Sequence, residues 1–295
     1  GLMFPIIPAN SVAEEAGNSE GIFGFGSYGG TKYAMTNLVS NAGVVATDTA
    51  GVGTARFGPA ACEYGGDKGI FGFGSTGSNT AVTNLVSNAG VVATDTAGVG
   101  TARRYVAACG YGEDKGIFGF GYSPALSMTN LVSNAGVVAT DTAGVGTARY
   151  APAACEYGGD KGIFGYGRTP SVTSVTNLVS NAGVVATDTA GVGTGRNGLA
   201  ACSYGEDKGI FGYGWTTAVT NLVSNVGVVS SDVTGVGTAR GSLAATQYGG
   251  DKGIFGYGSP GGITMTNLVS NAGVVATDTA GVGTMRDDLA ACSFN

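Results

Sequence analysis

The sequence predicts an all-β protein, a six-bladed β-propeller with four antiparallel strands in each blade, and three observations lead to this fold class. A unit of about 47 residues occurs six times. Its segments are short, rich in β-branched and aromatic residues, and separated by Gly and Asn, which is typical of strands and turns. A strand-like segment at the C-terminus matches one that the first unit lacks. Four strands in about 47 residues is the size of a propeller blade.

Three motifs mark the units in register, and together they leave no room for a second domain. We therefore expect residues 21–295 to form one propeller and residues 1–20 to form an N-terminal arm, whose conformation the sequence does not set. Gly-Ile-Phe-Gly begins at Gly21, Gly69, Gly116, Gly162, Gly209 and Gly253. Thr-Asn-Leu-Val-Ser-Asn begins at Thr36, Thr83, Thr129, Thr176, Thr220 and Thr266. Gly-Val-Gly-Thr-x-Arg ends at Arg56, Arg103, Arg149, Arg196, Arg240 and Arg286.

The unit around residue 210 shows the four expected strands. Strand a covers residues 199–204, and a Gly-Glu-Asp turn leads into strand b at 208–214. Strand c follows at 219–224 and strand d at 227–232. The frequent Gly residues argue against helical repeats, because Gly is among the poorest helix formers.

The two ends of the chain predict how the ring closes. Residues 1–20 contain no strand a, whereas the last unit continues past its Arg into residues 288–294, which match strand a. We expect this C-terminal strand to complete the first blade. Such a shared blade would close the ring and leave no exposed sheet edge of the kind that an open array presents.

The unit resembles the kelch repeat. The resemblance lies in Arg149 followed by Ala-Ala-Cys at 153–155, in Lys-Gly-Ile-Phe-Gly-Tyr-Gly at 161–167, and in Val-Thr-Asn-Leu-Val-Ser-Asn at 175–181. An aromatic-Gly step replaces the second Gly of the kelch Gly-Gly pair. The Trp that kelch repeats have in a late strand is missing from these units. The near-identical Ala/Gly/Thr-rich units are also similar to those of propeller proteins predicted from phage genomes. This second resemblance implies a virion protein, assembled in the host cytoplasm.

Composition narrows the possible functions. The chain has no His, the commonest general base and metal ligand, so we expect no catalytic residues, no cofactor and no metal. A kelch-type oxidase is the least favoured alternative, since its copper ligands include His. The net charge is −6, which disfavours nucleic acid as a partner. No apolar run is long enough to cross a membrane, and the first residues do not have the pattern of a secretion signal.

Recurrent residues are expected to have structural roles. The Phe of each strand b should pack between blades, and the Arg of each unit should anchor one blade to the next by bonding backbone carbonyls or the Asp that ends strand d. The Cys residues occupy equivalent places and are expected to be buried free thiols. The Phe residues are Phe23, Phe71, Phe118, Phe164, Phe211 and Phe255. The Cys residues are Cys62, Cys109, Cys155, Cys202 and Cys292.

The six units differ in two segments, the b–c loop and the residues that follow the Arg. In an up-and-down blade both segments emerge on the same face. Simple tolerance of loops to change is one explanation. The alternative is a binding face, because Tyr, Trp and Arg are enriched at binding hot spots. The candidate binding residues are Tyr28, Tyr33, Phe57, Arg104, Tyr105, Tyr122, Tyr150, Arg168 and Trp215.

The sequence therefore predicts a non-enzymatic binding or structural protein. We expect a phage virion component, for adhesion or decoration, whose variable face recognises a host surface polysaccharide or an adjoining virion protein. A secreted or cell-surface glycan-binding lectin, and hence an extracellular location, is the alternative. The oligomeric state stays open.

Overall fold

Residues 19–294 are described by the computed structural model, so the predicted N-terminal arm lies outside the described residues apart from its last two. This part of the chain contains 22 β-strands and no helix. The first eleven strands are β1 (Glu20–Gly24), β2 (Ser27–Tyr28), β3 (Thr31–Lys32), β4 (Thr36–Val39), β5 (Ala60–Tyr64), β6 (Lys68–Gly72), β7 (Thr83–Val86), β8 (Ala107–Tyr111), β9 (Lys115–Gly119), β10 (Thr129–Val132) and β11 (Ala153–Tyr157). The other eleven are β12 (Lys161–Gly165), β13 (Arg168–Thr169), β14 (Ser171–Val172), β15 (Thr176–Val179), β16 (Ala200–Tyr204), β17 (Lys208–Gly212), β18 (Thr220–Val223), β19 (Ala244–Tyr248), β20 (Lys252–Gly258), β21 (Ile263–Val269) and β22 (Ala290–Phe294).

The strands form six three-stranded antiparallel sheets, and two b–c loops fold into short hairpins. In each sheet the predicted strand b lies between strands a and c. The prediction of an all-β protein built from repeated antiparallel sheets is therefore confirmed. The sheets are β22-β1-β4, β5-β6-β7, β8-β9-β10, β11-β12-β15, β16-β17-β18 and β19-β20-β21, and the hairpins are β2-β3 and β13-β14.

The C-terminal strand pairs with the first unit, as the sequence predicts. Strand β22 runs antiparallel to β1 over its whole length, with Cys292 opposite Ile22 and Phe294 opposite Glu20. The first sheet thus joins residues that are about 270 positions apart in the chain.

The predicted strand d does not form a regular strand, and each sheet has three strands. In the first unit this segment meets β4 only through isolated bridges, Val39 to Val45 and Thr36 to Thr49. The register shifts by one residue between these two bridges. Asn37 gives the reason, because its side-chain amide donates to the Ala46 carbonyl at 3.0 Å and to the Asp48 carboxylate at 2.9 Å. These side-chain bonds interrupt the ladder, as at a β-bulge.

The hydrophobic core is divided into six clusters, each between two neighbouring sheets. Phe211 illustrates the packing: its ring meets Tyr166 of the preceding sheet edge to face, with centroids 5.2 Å apart. A Cβ added at Gly165 would stand 2.7 Å from the same ring, so only Gly fits beneath it. All six strand-b Phe side chains are fully buried, which confirms their predicted core role.

The clusters follow one another without a break. Five lie between sheets that are consecutive in the chain, and the sixth joins the last sheet to the first. This sixth cluster contains Phe23 and Val39 of the first unit together with Ile254 and Tyr257 of the last. The apolar packing between the last and the first sheet is therefore equivalent to the packing between consecutive sheets.

The five Cys residues are buried free thiols, as predicted. Each thiol packs on the first Gly of the Gly-Ile-Phe-Gly motif in the neighbouring sheet. A Cβ added at Gly209, for example, would stand 2.5 Å from the sulfur of Cys155. Burial raises the pKa of every one of these thiols, which keeps them protonated at neutral pH.

A buried arginine connects each sheet to the next, which confirms the predicted anchoring role. Arg196 donates to the carbonyls of Thr194 at 3.0 Å and Tyr213 at 2.7 Å, and to the side-chain oxygen of Asn221 at 2.6 Å. Asn221 in turn donates to Asp232, whose carboxylate accepts the Thr194 hydroxyl at 2.6 Å. In each of the six repeat arginines the guanidinium group stacks on an aromatic ring, with 4.0 to 4.5 Å between its central carbon and the ring centroid. The arginines are Arg56, Arg103, Arg149, Arg196, Arg240 and Arg286.

Candidate functional site

The segments that follow the six arginines meet at one end of the sheets and form a closed cycle of backbone hydrogen bonds. Each N–H donates to the carbonyl of the equivalent residue in a neighbouring unit, over 2.7 to 3.2 Å. The cycle needs a donor and an acceptor from every unit, so it brings the six variable segments together. It runs from Gly58 to Asp288, Ser242, Gly198, Ala151 and Tyr105, and back to Gly58.

All six residues of the cycle have a left-handed backbone, with φ between 50° and 63°. Four of them are not Gly, and such residues rarely adopt this conformation. Backbone strain of this kind persists where the surrounding structure imposes it, and it is concentrated at functional sites. The cycle is therefore both a strained and a well-determined part of the fold.

The two variable segments of the sequence lie side by side around this cycle. In five places the residue after the Arg bridges to the first residue of the next b–c loop, which confirms that the two segments share one end of the sheets. The bridges are Ser27 to Asp287, Phe57 to Ser75, Arg104 to Tyr122, Tyr150 to Arg168 and Gly241 to Ser259.

Five of the nine candidate residues form one cluster. Tyr150 meets Tyr122 edge to face at 5.1 Å and lies 6.4 Å from Tyr105, which lies 6.0 Å from Phe57. Arg104 sits among these rings, with its guanidinium carbon 4.9 Å from the Tyr122 centroid and 5.5 Å from that of Tyr105. Aromatic rings and a stacked Arg give the cluster a continuous surface.

Trp215, the sixth candidate residue, packs on two glycines. A Cβ at Gly198 would stand 2.7 Å from the indole nitrogen, and one at Gly241 would stand 2.8 Å from the indole ring. The ring is 47% exposed, as its predicted loop position implies. Gly198 and Gly241 therefore make room for the only Trp of the chain.

The other three candidate residues are placed differently. Tyr28 is exposed in the β2-β3 hairpin and packs against Gly262. Tyr33 follows the same hairpin and accepts a bond from the Arg56 amide through its carbonyl. The Arg168 side chain is exposed and bonds the Pro170 carbonyl, although its backbone pairs with Tyr150.

The cycle surrounds the mouth of a cavity of about 210 Å³. Three candidate aromatics line it, Tyr105, Tyr150 and Trp215, and Asp288 is the one carboxylate that the described part of the chain contributes to the lining. Asp288 is not among the binding residues that the sequence predicts. The signal was present, since the last unit is the only one with acidic residues after its Arg, but nothing in the local sequence indicates that Asp288 faces Tyr105.

The electrostatic environment of Asp288 is unusual. Burial raises its pKa to about 6; the Ser242 and Tyr105 hydroxyls oppose this rise by hydrogen bonding, and neighbouring Asp287 adds to it by repulsion. Burial also raises the pKa of Tyr105 to about 12. At neutral pH the Asp288 carboxyl is therefore mostly ionised, while the Tyr105 hydroxyl beside it keeps its proton.

The opposite end of the sheets has a second, smaller cavity of about 50 Å³ lined by the strand-a side chains. Glu63 and Glu156 approach each other there across Gly110, where an added Cβ would stand 3.1 Å and 2.9 Å from their carboxylate oxygens. Ser293 donates to Glu63 at 2.5 Å. Burial raises the pKa of Glu156 well above its usual range, and repulsion by Glu63 raises it further.

Neither cavity contains a set of metal ligands. Within residues 19–294, no group of three or more His, Cys, Asp or Glu side chains is arranged to hold a metal ion. The same part of the chain has no helix long and apolar enough to span a membrane.

No protein-family model matches this chain, and a search of curated proteins found no significant relative.

Proposed function

We propose that the six sheets are the blades of a closed, kelch-like β-propeller. Three contacts between the last and the first sheet support the proposal: the pairing of β22 with β1, the shared apolar cluster, and the bond from Thr284 to Asp48. The cycle of six hydrogen bonds would then encircle the propeller axis, and the 210 Å³ cavity would be the mouth of the central channel. The irregular segment after each strand c would be the outer edge of its blade.

We infer that this protein is a non-enzymatic binding module, a phage virion component that recognises a host surface polysaccharide. The surface that binds it would be the end of the sheets that carries Tyr105, Tyr150 and Trp215, called the aromatic face below. The observation that carries the inference is the contiguity of the aromatic cluster with the cavity. Tyr105 and Tyr150 belong to both, so that rings from two successive inter-unit segments, together with Trp215 of a b–c loop, adjoin one concave opening. Aromatic faces suit sugar rings, whose apolar faces stack on them, and clefts lined by aromatics with a few polar groups are typical ligand sites.

The five unpaired thiols agree with assembly in a reducing cytosol, as a virion protein would require. A secreted or cell-surface lectin would use the same aromatic face, so the two readings differ in location and not in site. Mass spectrometry of purified phage particles separates them. Finding the chain in the particles supports the virion proposal, and finding it only in culture medium supports the lectin.

Binding of labelled protein to a panel of bacterial cells and purified surface polysaccharides tests the recognition role. The informative variant replaces Tyr105, Tyr150 and Trp215 by Ala, and the matched control is Tyr28→Ala, which removes an exposed ring away from the cavity. We expect binding to be lost in the triple variant and kept in the control. If neither variant nor wild type binds any glycan, an adjoining virion protein becomes the favoured partner of this face.

A further inference from the structure

The cavity at the centre of the aromatic face combines aromatic rings with a carboxylate. Tyr105, Tyr150 and Trp215 line it together with small and aliphatic residues, and Asp288 supplies the one carboxylate among the described residues of its lining. Within residues 19–294, no Lys or Arg lines this cavity. The negative faces of aromatic rings attract cations, most strongly when Trp and Tyr contribute, and a carboxylate adds to that attraction.

The nearest guanidinium group does not neutralise this carboxylate by pairing with it. Arg104 donates to the Asn79 side chain at 2.9 Å and stacks on Tyr122 at 4.9 Å, and from this position its charge lowers the pKa of the Asp288 carboxyl. The Asp288 carboxylate interacts instead with the hydroxyl groups of Ser242 and Tyr105. Two neutral donors hold the carboxylate in place, and Arg104 acts on it through the longer-range attraction between their charges.

The size of the cavity limits what can enter it. A volume of about 210 Å³ is below the roughly 300 to 1,000 Å³ typical of sites for drug-sized ligands. The cavity therefore suits one small residue or substituent at the end of a larger molecule, and Trp215 at its exposed rim would contact the part that stays outside.

We propose that this cavity binds an ammonium group carried by a sugar, that is, a non-acetylated amino sugar in the polysaccharide that the aromatic face recognises. This inference rests on the proposed glycan-binding function and specifies the ligand of the same site. The ammonium group lies against the Asp288 carboxylate and the rings of Tyr105 and Tyr150, while the sugar ring stacks on Trp215. An acetylated or neutral sugar has no charge to offer to the carboxylate and binds more weakly.

The test is calorimetric titration of the full chain with glucosamine, N-acetylglucosamine and glucose. Two variants accompany the wild type, Asp288→Asn and Asp287→Asn. Asn has nearly the shape of Asp and is tolerated in the left-handed conformation of residue 288, so both variants are expected to fold. Asp287→Asn serves as the control because Asp287 is not among the residues lining the cavity. Thermal melting of each variant verifies this.

We expect glucosamine to bind at least tenfold more tightly than the other two sugars. Asp288→Asn removes that preference, and Asp287→Asn keeps it. Affinity for glucosamine rises between pH 5 and pH 7 as the Asp288 carboxyl, with its pKa of about 6, loses its proton while the amine stays charged. Equal affinity for the three sugars, or an unchanged preference in Asp288→Asn, overturns the proposal.

The polysaccharide panel separates failure of this inference from failure of the proposed function. If the wild type binds polysaccharides through the aromatic face but prefers no amino sugar, glycan recognition stands and the ammonium site is wrong. If glucosamine binds in the Asp288-dependent way but no polysaccharide does, the ammonium site stands and the proposed recognition of host glycans is wrong.

Discussion

Thr284 and Asp48 are 236 residues apart, yet Thr284 donates both its backbone amide and its hydroxyl group to the Asp48 carboxylate, the hydroxyl over 2.6 Å. The same pair of bonds joins Thr147 to Asp188, between sheets that are consecutive in the chain, again with 2.6 Å for the hydroxyl. The contact between the last and the first unit therefore has the same geometry as a contact between consecutive units. Equivalent residues should then contribute equally to stability.

Replacing either aspartate by Asn should destabilise the protein by about the same amount. We expect Asp48→Asn and Asp188→Asn each to cost about 1 to 3 kcal/mol, because each removes charge-assisted bonds from Thr. Urea unfolding followed by circular dichroism measures both. A harmless Asp48→Asn beside a costly Asp188→Asn would show that the last and first units are not joined in solution.

These aspartates also make the free energy of unfolding depend on pH in the acidic range. Burial raises the pKa of Asp48, but bonds from Thr284 and Asn37 outweigh that rise, so the pKa lies below its usual value. A lowered pKa in the folded state contributes stability above the unfolded value of about 4, and this stability is lost as pH falls through the folded value. The wild type should lose stability below about pH 4, and Asp48→Asn should lose less.

Removing residues 287–295 should destabilise all of the sheets together. The truncation deletes β22, leaves one edge of β1 unpaired, and takes Asp288 out of the hydrogen-bonded cycle. We expect a single thermal transition at a clearly lower temperature than that of the wild type. The matched control lacks residues 1–18 and should melt as the wild type does, whereas an unchanged melting temperature in the C-terminal truncation would contradict the role of β22.

Replacement by Ala should affect stability very differently at Phe211 and at Trp215, although the two residues are only four positions apart. Phe211 is fully buried against Tyr166, so Phe211→Ala should cost about 3 to 5 kcal/mol. Trp215 is 47% exposed, so Trp215→Ala should change stability little and instead impair glycan binding. Chemical denaturation measures the first effect and the polysaccharide panel the second; equal destabilisation by both changes would disprove the loop role of Trp215.

Glu156→Gln should make the protein more stable at neutral pH. The folded state raises the pKa of Glu156 through burial and through repulsion by Glu63, so the folded state favours the protonated acid. Such a group contributes its stability below the unfolded pKa of about 4.3, and that stability is lost as pH rises through the folded value. Gln imitates the protonated acid and should abolish this alkaline loss.

The control for this change is Glu206→Gln, which alters an exposed acid in a turn. Melting temperatures of both variants between pH 4 and pH 9 provide the comparison. We expect the curve of Glu156→Gln to be flatter than that of the wild type over this range and the curve of Glu206→Gln to follow the wild type. Parallel curves for all three proteins would show that the acid pair across Gly110 carries no energetic coupling.

Gly209 and Cys155 should show strong coupling across two sheets. Gly209→Ala brings a methyl group to within 2.5 Å of the Cys155 sulfur and should destabilise the protein by about 1 to 3 kcal/mol through overpacking. The further change Cys155→Ala removes the sulfur and should restore part of that loss. A double-mutant cycle by urea unfolding measures the coupling, and strict additivity would mean that these sheets do not pack as described.

Much of the fold could be predicted from the sequence because it depends on local pattern. The 47-residue period, the short apolar segments and the Gly-rich turns give strands a, b and c, and the repeated Phe and Cys positions give the core. The Arg after each Gly-Val-Gly-Thr motif could be assigned a linking role for the same reason. The predicted strand d failed, because the Asn side chain that interrupts it belongs to strand c and its effect is seen only when the two segments meet.

The sequence by itself determined the repeated sheets, their buried residues and the grouping of variable residues at one end, since each of these follows from periodicity and residue type. Only the tertiary structure decided which variable residues meet. Asp288 faces Tyr105, and Glu156 approaches Glu63, because equivalent positions of different units converge around common cavities. Local sequence carries no information on such contacts; they arise from the hydrogen bonds and apolar packing that hold the units to one another.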